Sequence, residues 1–308
     1  MEYKEIRFEQ DIETSLINSG GYIKGDMSTY DKANAVDLHK LLSFIKTTQE
    51  NEWERYEKIY GKDSEKKLLK RFCEETATHG LLHVLRNGIN DRGVKFKVCY
   101  FKPESTLNDK LVNGYKANIM TVTRQFAYSN ENNNTIDMVL SLNGIPLVAL
   151  ELKNQITGQS VENAMKQFRE DRNHRELCFQ FNRRFLVYFA VDLYEIAMAT
   201  QLNGDKTFFL PFNQGSGGAG NVGGSGNPEN PDGYNTSYLW ENVLAKESLL
   251  NIIQRFLHVS IEKKKVTKDG KDTYKTSKKL IFPRYHQLDV VTKIMDDVKR
   301  NGSGKNYL

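Results

Sequence analysis

Apolar residues recur at helical spacing near the start of the chain, where Phe8, Ile12, Leu16 and Ile17 share one stripe that stops at Gly20-Gly21, predicting a first amphipathic helix. From about residue 31 to residue 90 the helical period persists through "DLHKLLSFIK", "EWERYEKIYG" and "KKLLKRFCEETATHGLLHVLRNG", with Gly61 and Gly88 as stops. This stretch is expected to be a helical insertion. The period then shifts to two, predicting strands in "VKFKVCYF", "NIMTVTRQFAYS", "TIDMVLSLNGIPLVALELKNQ", "RRFLVYFAVD", "YEIAMAT" and "KTFFLPF". A helix, "SVENAMKQFREDRN", interrupts them. The order helix, strands, helix, strand implies an α/β fold with a mixed sheet and helices against it. Residues 213–233, rich in Gly, Asn and Pro, have little to bury and are expected to form a mobile loop. Helix resumes in "SYLWENVLAKESLLNIIQRFLHV". The lysine run "EKKKVTKDGKDTYKTSKKL" follows and reads as a solvated surface, with a DNA contact as the alternative.

Composition narrows the class. With 308 residues, 39% hydrophobic and 27% charged, the chain can bury one large domain with an appendage. A net charge of +5 is compatible with a polyanionic partner without requiring one. Cys73, Cys99 and Cys178 are scattered, with no C-x-x-C pair, which argues against a disulfide framework or zinc knuckle and fits a reducing cytoplasm. The first residues are charged, and no stretch supplies the roughly 18 uninterrupted apolar residues of a membrane span, so neither secretion nor membrane embedding is expected.

Several motif matches fail on context. "GAGNVG" (Gly218–Gly223) fits G-x-G-x-x-G, but more Gly, Asn and Pro follow where a dinucleotide site needs a helix. "NGSGKNYL" mimics a phosphate loop, yet Lys305 is followed by Asn306 and position 299 is Lys rather than Gly. His79 and His83 have zinc-ligand spacing without the H-E-x-x-H glutamate, which favours a helix-face or packing role. No G-x-S-x-G nucleophile elbow is present.

The strongest chemical signal is three charges on an otherwise apolar hairpin: Asp137, Glu151 and Lys153. Buried charges are costly unless paired or bound to a metal. Strand alternation turns Glu151 and Lys153 to one face and Leu150 and Leu152 to the other. Asp137 joins them only in the right register. A two-residue Asn143-Gly144 turn pairs 137 with 150, on the wrong face, whereas a three-residue loop, Leu142-Asn143-Gly144, with Gly144 left-handed pairs 137 with 149 and brings Asp137 beside Glu151. The three-residue loop is therefore expected. Two carboxylates around a hard divalent cation leave room for water and a phosphate oxygen, and Lys153 can orient or help deprotonate that water. The bland alternative is a structural ion-pair cluster.

The pattern Ile136-Asp137 with Glu151-Leu152-Lys153 resembles the PD-(D/E)xK nuclease superfamily, although no Pro precedes the Asp. A first-helix glutamate often joins such sites; Glu9, rather than Glu13, has the matching place. "NGIPLVALELKN", the Ala164–Gln167 helix, "FNRRFLVYFAVD", "FFLPFN", a glycine-rich stretch and "TSYLWENVL" together resemble the restriction (R) subunit of type I restriction-modification enzymes. That resemblance covers nearly the whole chain. It implies a restriction-endonuclease-like domain over 1–260, a Lys-rich linker over 261–280 and the start of a helicase-like motor over 281–308, cut short before its phosphate loop. It also implies Asp137 and Glu151 as Mg²⁺ ligands, with Lys153, Glu9 and Gln167 as further catalytic residues. The family's Q-x-x-x-Y tyrosine position is Asp171 here, which leaves Gln167 for a supporting or phosphate contact. In "FPRYHQLDVV", Gln287 matches the motor's adenine-binding glutamine.

The implied function is Mg²⁺-dependent cleavage of double-stranded DNA in a prokaryotic cytoplasm, fired by ATP-driven translocation, with site recognition and adenine methylation supplied by specificity (S) and methyltransferase (M) subunits. The rivals are a stand-alone nuclease of the same superfamily, such as a resolvase or type II enzyme, and a non-catalytic DNA-binding scaffold. The motor-opening segment opposes the first. The intact charged triplet opposes the second.

Overall fold

The computed structural model describes residues 2–154, 158–268 and 271–302. The end of the "NGSGKNYL" segment, including Gly304, Lys305 and Asn306, lies outside them. Helix α1 (Glu2–Asn18) is followed by β1 (Ile23–Lys24) and a small antiparallel pair, β2 (Tyr30–Asp31) and β3 (Val36–Asp37). Helices α2 (Leu38–Thr48), α3 (Glu50–Tyr60), α4 (Ser64–Thr78) and α5 (Leu81–Asn87) form the expected insertion, which starts at residue 38 rather than 31. A second small pair, β4 (Ile89–Asp91) and β5 (Val94–Phe96), and α6 (Asp109–Lys116) precede the central strands. These are β6 (Met120–Ala127), β7 (Thr135–Leu142) and β8 (Ile145–Leu152), followed by α7 (Val161–Glu170), β9 (Val187–Val191), β10 (Ile196–Ala199) and β11 (Leu210–Pro211). Helix α8 (Lys246–Asn251) lies between two π-helical turns, so the long helix expected there is broken. The chain continues through β12 (His258–Lys268) and β13 (Lys271–Ile281) to α9 (Tyr285–Asn301).

The main sheet runs β1-β6-β7-β8-β9-β10-β11, with β1–β6 and β8–β9 parallel and the other neighbours antiparallel. It is the mixed sheet the strand pattern implied. Every residue of β8 is buried, as both faces of a central strand covered by helices require. On one face, Phe8, Ile12 and Leu16 of α1 join Met138, Leu140, Leu150 and Leu152. On the other, Val161, Ala164 and Phe168 of α7 join Val139, Ala149 and Ala190. Each large apolar side chain so buried stabilises the fold by about 1.5–3 kcal/mol.

One local expectation is corrected and two gain a structure. Ile17 is half-exposed and leaves the α1 stripe, because only the i, i+4, i+8 positions reach the sheet. The lysine run, read as a linker, is drawn into the antiparallel pair β12–β13, in register from His258↔Ile281 to Lys268↔Lys271. The glycine-rich loop carries hydrogen bonds of its own. Gly215 N donates to Gly226 O at 2.8 Å, and the Asn227 side chain accepts from Gln214 N at 2.8 Å and donates to Tyr194 O at 2.8 Å.

Candidate active site

The β7–β8 hairpin closes by a two-residue turn, with Asn143 at φ 50° and Gly144 at φ 82° and Leu142 paired with Ile145. Two left-handed residues in succession make the tight turn that suits strand twist. The three-residue loop expected from the sequence is therefore wrong. Gly144 is required twice over, since a Cβ there would sit 2.3 Å from the Asp37 carbonyl oxygen. Asn143 is fully buried and stitches the turn to its surroundings, accepting from Ile119 N at 2.7 Å and donating to Val98 O at 2.8 Å.

What restores the register is a bulge one step further along. Ser141 pairs with Pro146, but Leu140 pairs with Val148, so Leu147 is the extra residue. Pro146 has no N–H to give to the ladder, and bulges are where sheets tolerate such a residue. Leu147 and Val148 consequently both enter the α1-side core, although strict alternation would separate them. The ladder then runs Val139↔Ala149 and Met138↔Leu150. Continued one step past its last pair, this register turns Asp137 to the side of Glu151. The two acids share a side, as expected, but by a different device from the three-residue loop.

The Asp137 carboxylate accepts from Leu152 N at 2.8 Å, and Lys153 Nζ lies 3.5 Å from the same Oδ2. Lys153 N donates to Val191 O at 2.9 Å, which fixes the end of β8 against β9. Glu151 is completely buried. Its Oε1 takes both Arg172 Nε at 2.8 Å and the adjacent Arg172 terminal nitrogen at 2.6 Å, while Oε2 is buried with no hydrogen-bond partner. Arg172 also donates to Thr135 O at 2.7 Å and lies over the Tyr128 ring at 5.6 Å. Burial pushes the Glu151 carboxyl well above its ordinary range and Asp137 adds to the rise, with Arg172 and Lys153 opposing.

Glu9, on α1, is buried against β6. Its oxygens accept from Arg124 Nε at 3.0 Å and Gln125 Nε2 at 2.9 Å, and Arg124 also reaches Glu13 at 3.5 Å. Burial raises Glu9 too; Arg124 opposes this and the charge of Asp137 adds to it. Gln125 holds a left-handed φ of 48° between the paired positions Arg124↔Met138 and Phe126↔Ile136, and so lies across from Asp137. Such a backbone in a non-glycine residue is uncommon and marks the spot. The charge of Asp137 thus bears on both Glu9 and Glu151.

The remaining predicted residues make none of the contacts just described. Gln167 is half-buried on α7, at the edge of the face formed by Ala164 and Phe168. Asp171, where the family has tyrosine, is the C-cap of α7, and the next residue is Arg172. Gln287 is exposed at the start of α9 and its side chain accepts from Arg284 N at 3.0 Å as a helix cap. His79 and His83 stack at 4.9 Å beside Glu75 and Asn87.

Sequence reasoning missed Arg172, Arg124 and Gln125. The latter two carry a signal, being a polar pair inside an apolar strand; Arg172 sits in the charged text "REDRN" and carries none.

The donor chemistry is of the kind a hard divalent ion takes: two carboxylates turn to one side and one buried carboxylate oxygen has no partner. Among the described residues no group of three or more His, Cys, Asp or Glu converges as a metal cage, so water and phosphate would complete the shell. A family model described as type I restriction enzyme R protein N terminus matches residues 30–207, more than half of the chain. That span holds Asp137, Glu151, Lys153, Gln167 and Arg172, and leaves Glu9 and Gln287 outside. A search among curated proteins returns no match.

Proposed function

Because the chain belongs to the type I restriction enzyme R protein N-terminal family, we propose that it is the Mg²⁺-dependent endonuclease part of such a subunit, hydrolysing phosphodiester bonds of double-stranded DNA. The observation that carries the reading is the approach of Asp137 to Glu151 with Glu151 Oε2 buried and unpartnered. Asp137 and Glu151 would hold the ion. When bound, it supplies Lewis-acid polarisation of the phosphate and a lowered pKa for water. Lys153, on the Asp137 side of the pair, orients the attacking water, takes part in its deprotonation and offsets charge building on phosphorus. Arg172 holds Oε1 of Glu151 so that Oε2 is the oxygen presented. Glu9, braced by Arg124 and Gln125, adds a third negative group near Asp137, and Gln167 contacts the phosphate backbone at the edge of the site.

In this reading residues 1–260 are the nuclease, 261–280 connect it to the motor and 281–308 begin the motor, where Gln287 meets the adenine of ATP. The root of that last segment is already fastened to the nuclease, with Phe282 packed on Phe189 and Phe212, and Tyr285 on Tyr238 at 4.8 Å. Specificity and methyltransferase subunits supply site choice. The test is nicking of supercoiled plasmid in Mg²⁺, with EDTA and Lys153→Ala as controls. Cleavage that survives both controls would remove the reading.

A further inference from the structure

The β12–β13 hairpin concentrates the charge of the protein. Residues 258–281 hold eight lysines against three acids, a net +5, which equals the formal charge of the whole chain. The rest of the molecule is balanced. Within the hairpin the register sets the lysine positions 264 and 275 opposite each other, and likewise 268 and 271. Lys263, Lys265 and Lys278 are exposed and alternate onto one face together with Tyr274, which is 68% exposed. Lys279 is exposed on the other face, beside Glu262 at 3.5 Å.

We propose that this ribbon is a second DNA-binding element, an arm that grips the phosphate backbone of duplex DNA away from the carboxylate site. Its base is anchored where Leu280 and Phe282 enter the α1-side core and the Leu280 carbonyl accepts from Thr200 at 2.7 Å. Glu151 faces the other side of the sheet, toward Ala190 and α7. The arm is therefore separate from the cutting site and owes nothing to the metal. Its eleven-residue strands extend about 35 Å, and a two-stranded ribbon is narrow enough for the major groove, which is about 12 Å wide. Cations on both faces suit a groove walled by two rows of phosphate. A flat anionic membrane would engage one face only.

The test measures binding of the 308-residue chain to a short duplex in EDTA, so that failure of the metal-site reading leaves it intact. The triple variant Lys263→Gln, Lys265→Gln, Lys278→Gln should lower the slope of log affinity against log salt by about 2.7, at 0.9 per phosphate contact. A fourfold rise in salt would then weaken the parent roughly 40-fold more than the variant. The loss should be equal on unrelated sequences, the matching Lys→Arg triple should keep the parental slope, and the Gln triple should keep the parental melting temperature, which excludes misfolding. An unchanged slope in the Gln triple overturns the proposal. So does a result in which the Gln triple loses binding to phosphatidylcholine–phosphatidylserine vesicles while its duplex binding is unaltered.

Discussion

Arg172→Ala is the most informative perturbation of the site, because the structure makes its cost calculable in sign and scale. The guanidinium and the Glu151 carboxylate are both essentially buried, and among the described residues Arg172 supplies the hydrogen bonds to the Glu151 side chain: both fall on Oε1, with Oε2 already lacking a partner. Removing the cation strands a buried charge, which costs about 3–5 kcal/mol, against a total stability of about 5–15 kcal/mol for a typical domain. The melting temperature should fall by on the order of 10 °C. The protein can escape part of this by protonating Glu151, whose pKa is already raised above 4.5 by burial and Asp137. A raised folded-state pKa means that the native state holds a proton the unfolded chain has shed, so stability declines as pH rises from the ordinary carboxylate value toward the folded one. Loss of Arg172 lifts that pKa further. The destabilisation should thus be larger near pH 8 than near pH 5 when followed by urea unfolding. Arg172→Met combined with Glu151→Met, which removes both charges, should recover most of the loss. A single-variant cost under about 1 kcal/mol, or a double variant no better than the single, would refute the reasoning.

In the intact subunit, Asp137→Ala, Glu151→Ala and Lys153→Ala should each abolish DNA cleavage while ATP hydrolysis and translocation continue; cleavage persisting in any one removes that residue from the mechanism. Gly144→Val should lose about 1–2 kcal/mol from the left-handed backbone alone, and more from the 2.3 Å approach to Asp37 O, with nicking activity falling alongside the melting temperature. Mg²⁺ affinity, measured by calorimetry, should rise with pH above the ordinary carboxylate range, since burial raises both Glu151 and Glu9 and the ion must displace their protons; a pH-independent affinity would place the ion elsewhere.

The helices and the mixed sheet were legible because each apolar run has one dominant period: Phe8, Ile12 and Leu16 repeat every fourth residue, and β8 reads as an unbroken oily strand. Lys153 and the two acids stood out for the complementary reason, as charges where the pattern forbids them. The lysine run escaped because Lys, Thr and Ser fall at both odd and even positions, so no apolar alternation marks its strands. With no core to face, hydrophobic periodicity is silent about such a ribbon. Arg172 escaped differently. Its burial is imposed by a carboxylate twenty-one positions earlier and visible only once α7 is laid across the sheet.

The turn shows how two acids can be brought to one side of a sheet by an unforeseen local geometry. Asn143-Gly144 is a strong two-residue turn signal, and the requirement that Asp137 and Glu151 share a face rules out a regular ladder behind such a turn. The two constraints conflict only if the extra residue must lie in the loop. Pro146, four residues before Leu150, is the evidence that it need not: a residue without an N–H near the start of a central strand weakens the ladder there, and the adjacent Leu147 is where the strand takes up the additional position. Both neighbours of the bulge stay buried, so the core loses no apolar area in the exchange. The hairpin thus keeps its tight turn and its oily face, and the shift of one residue falls upstream of Glu151, carrying the acid from the face it would otherwise occupy to the side of Asp137.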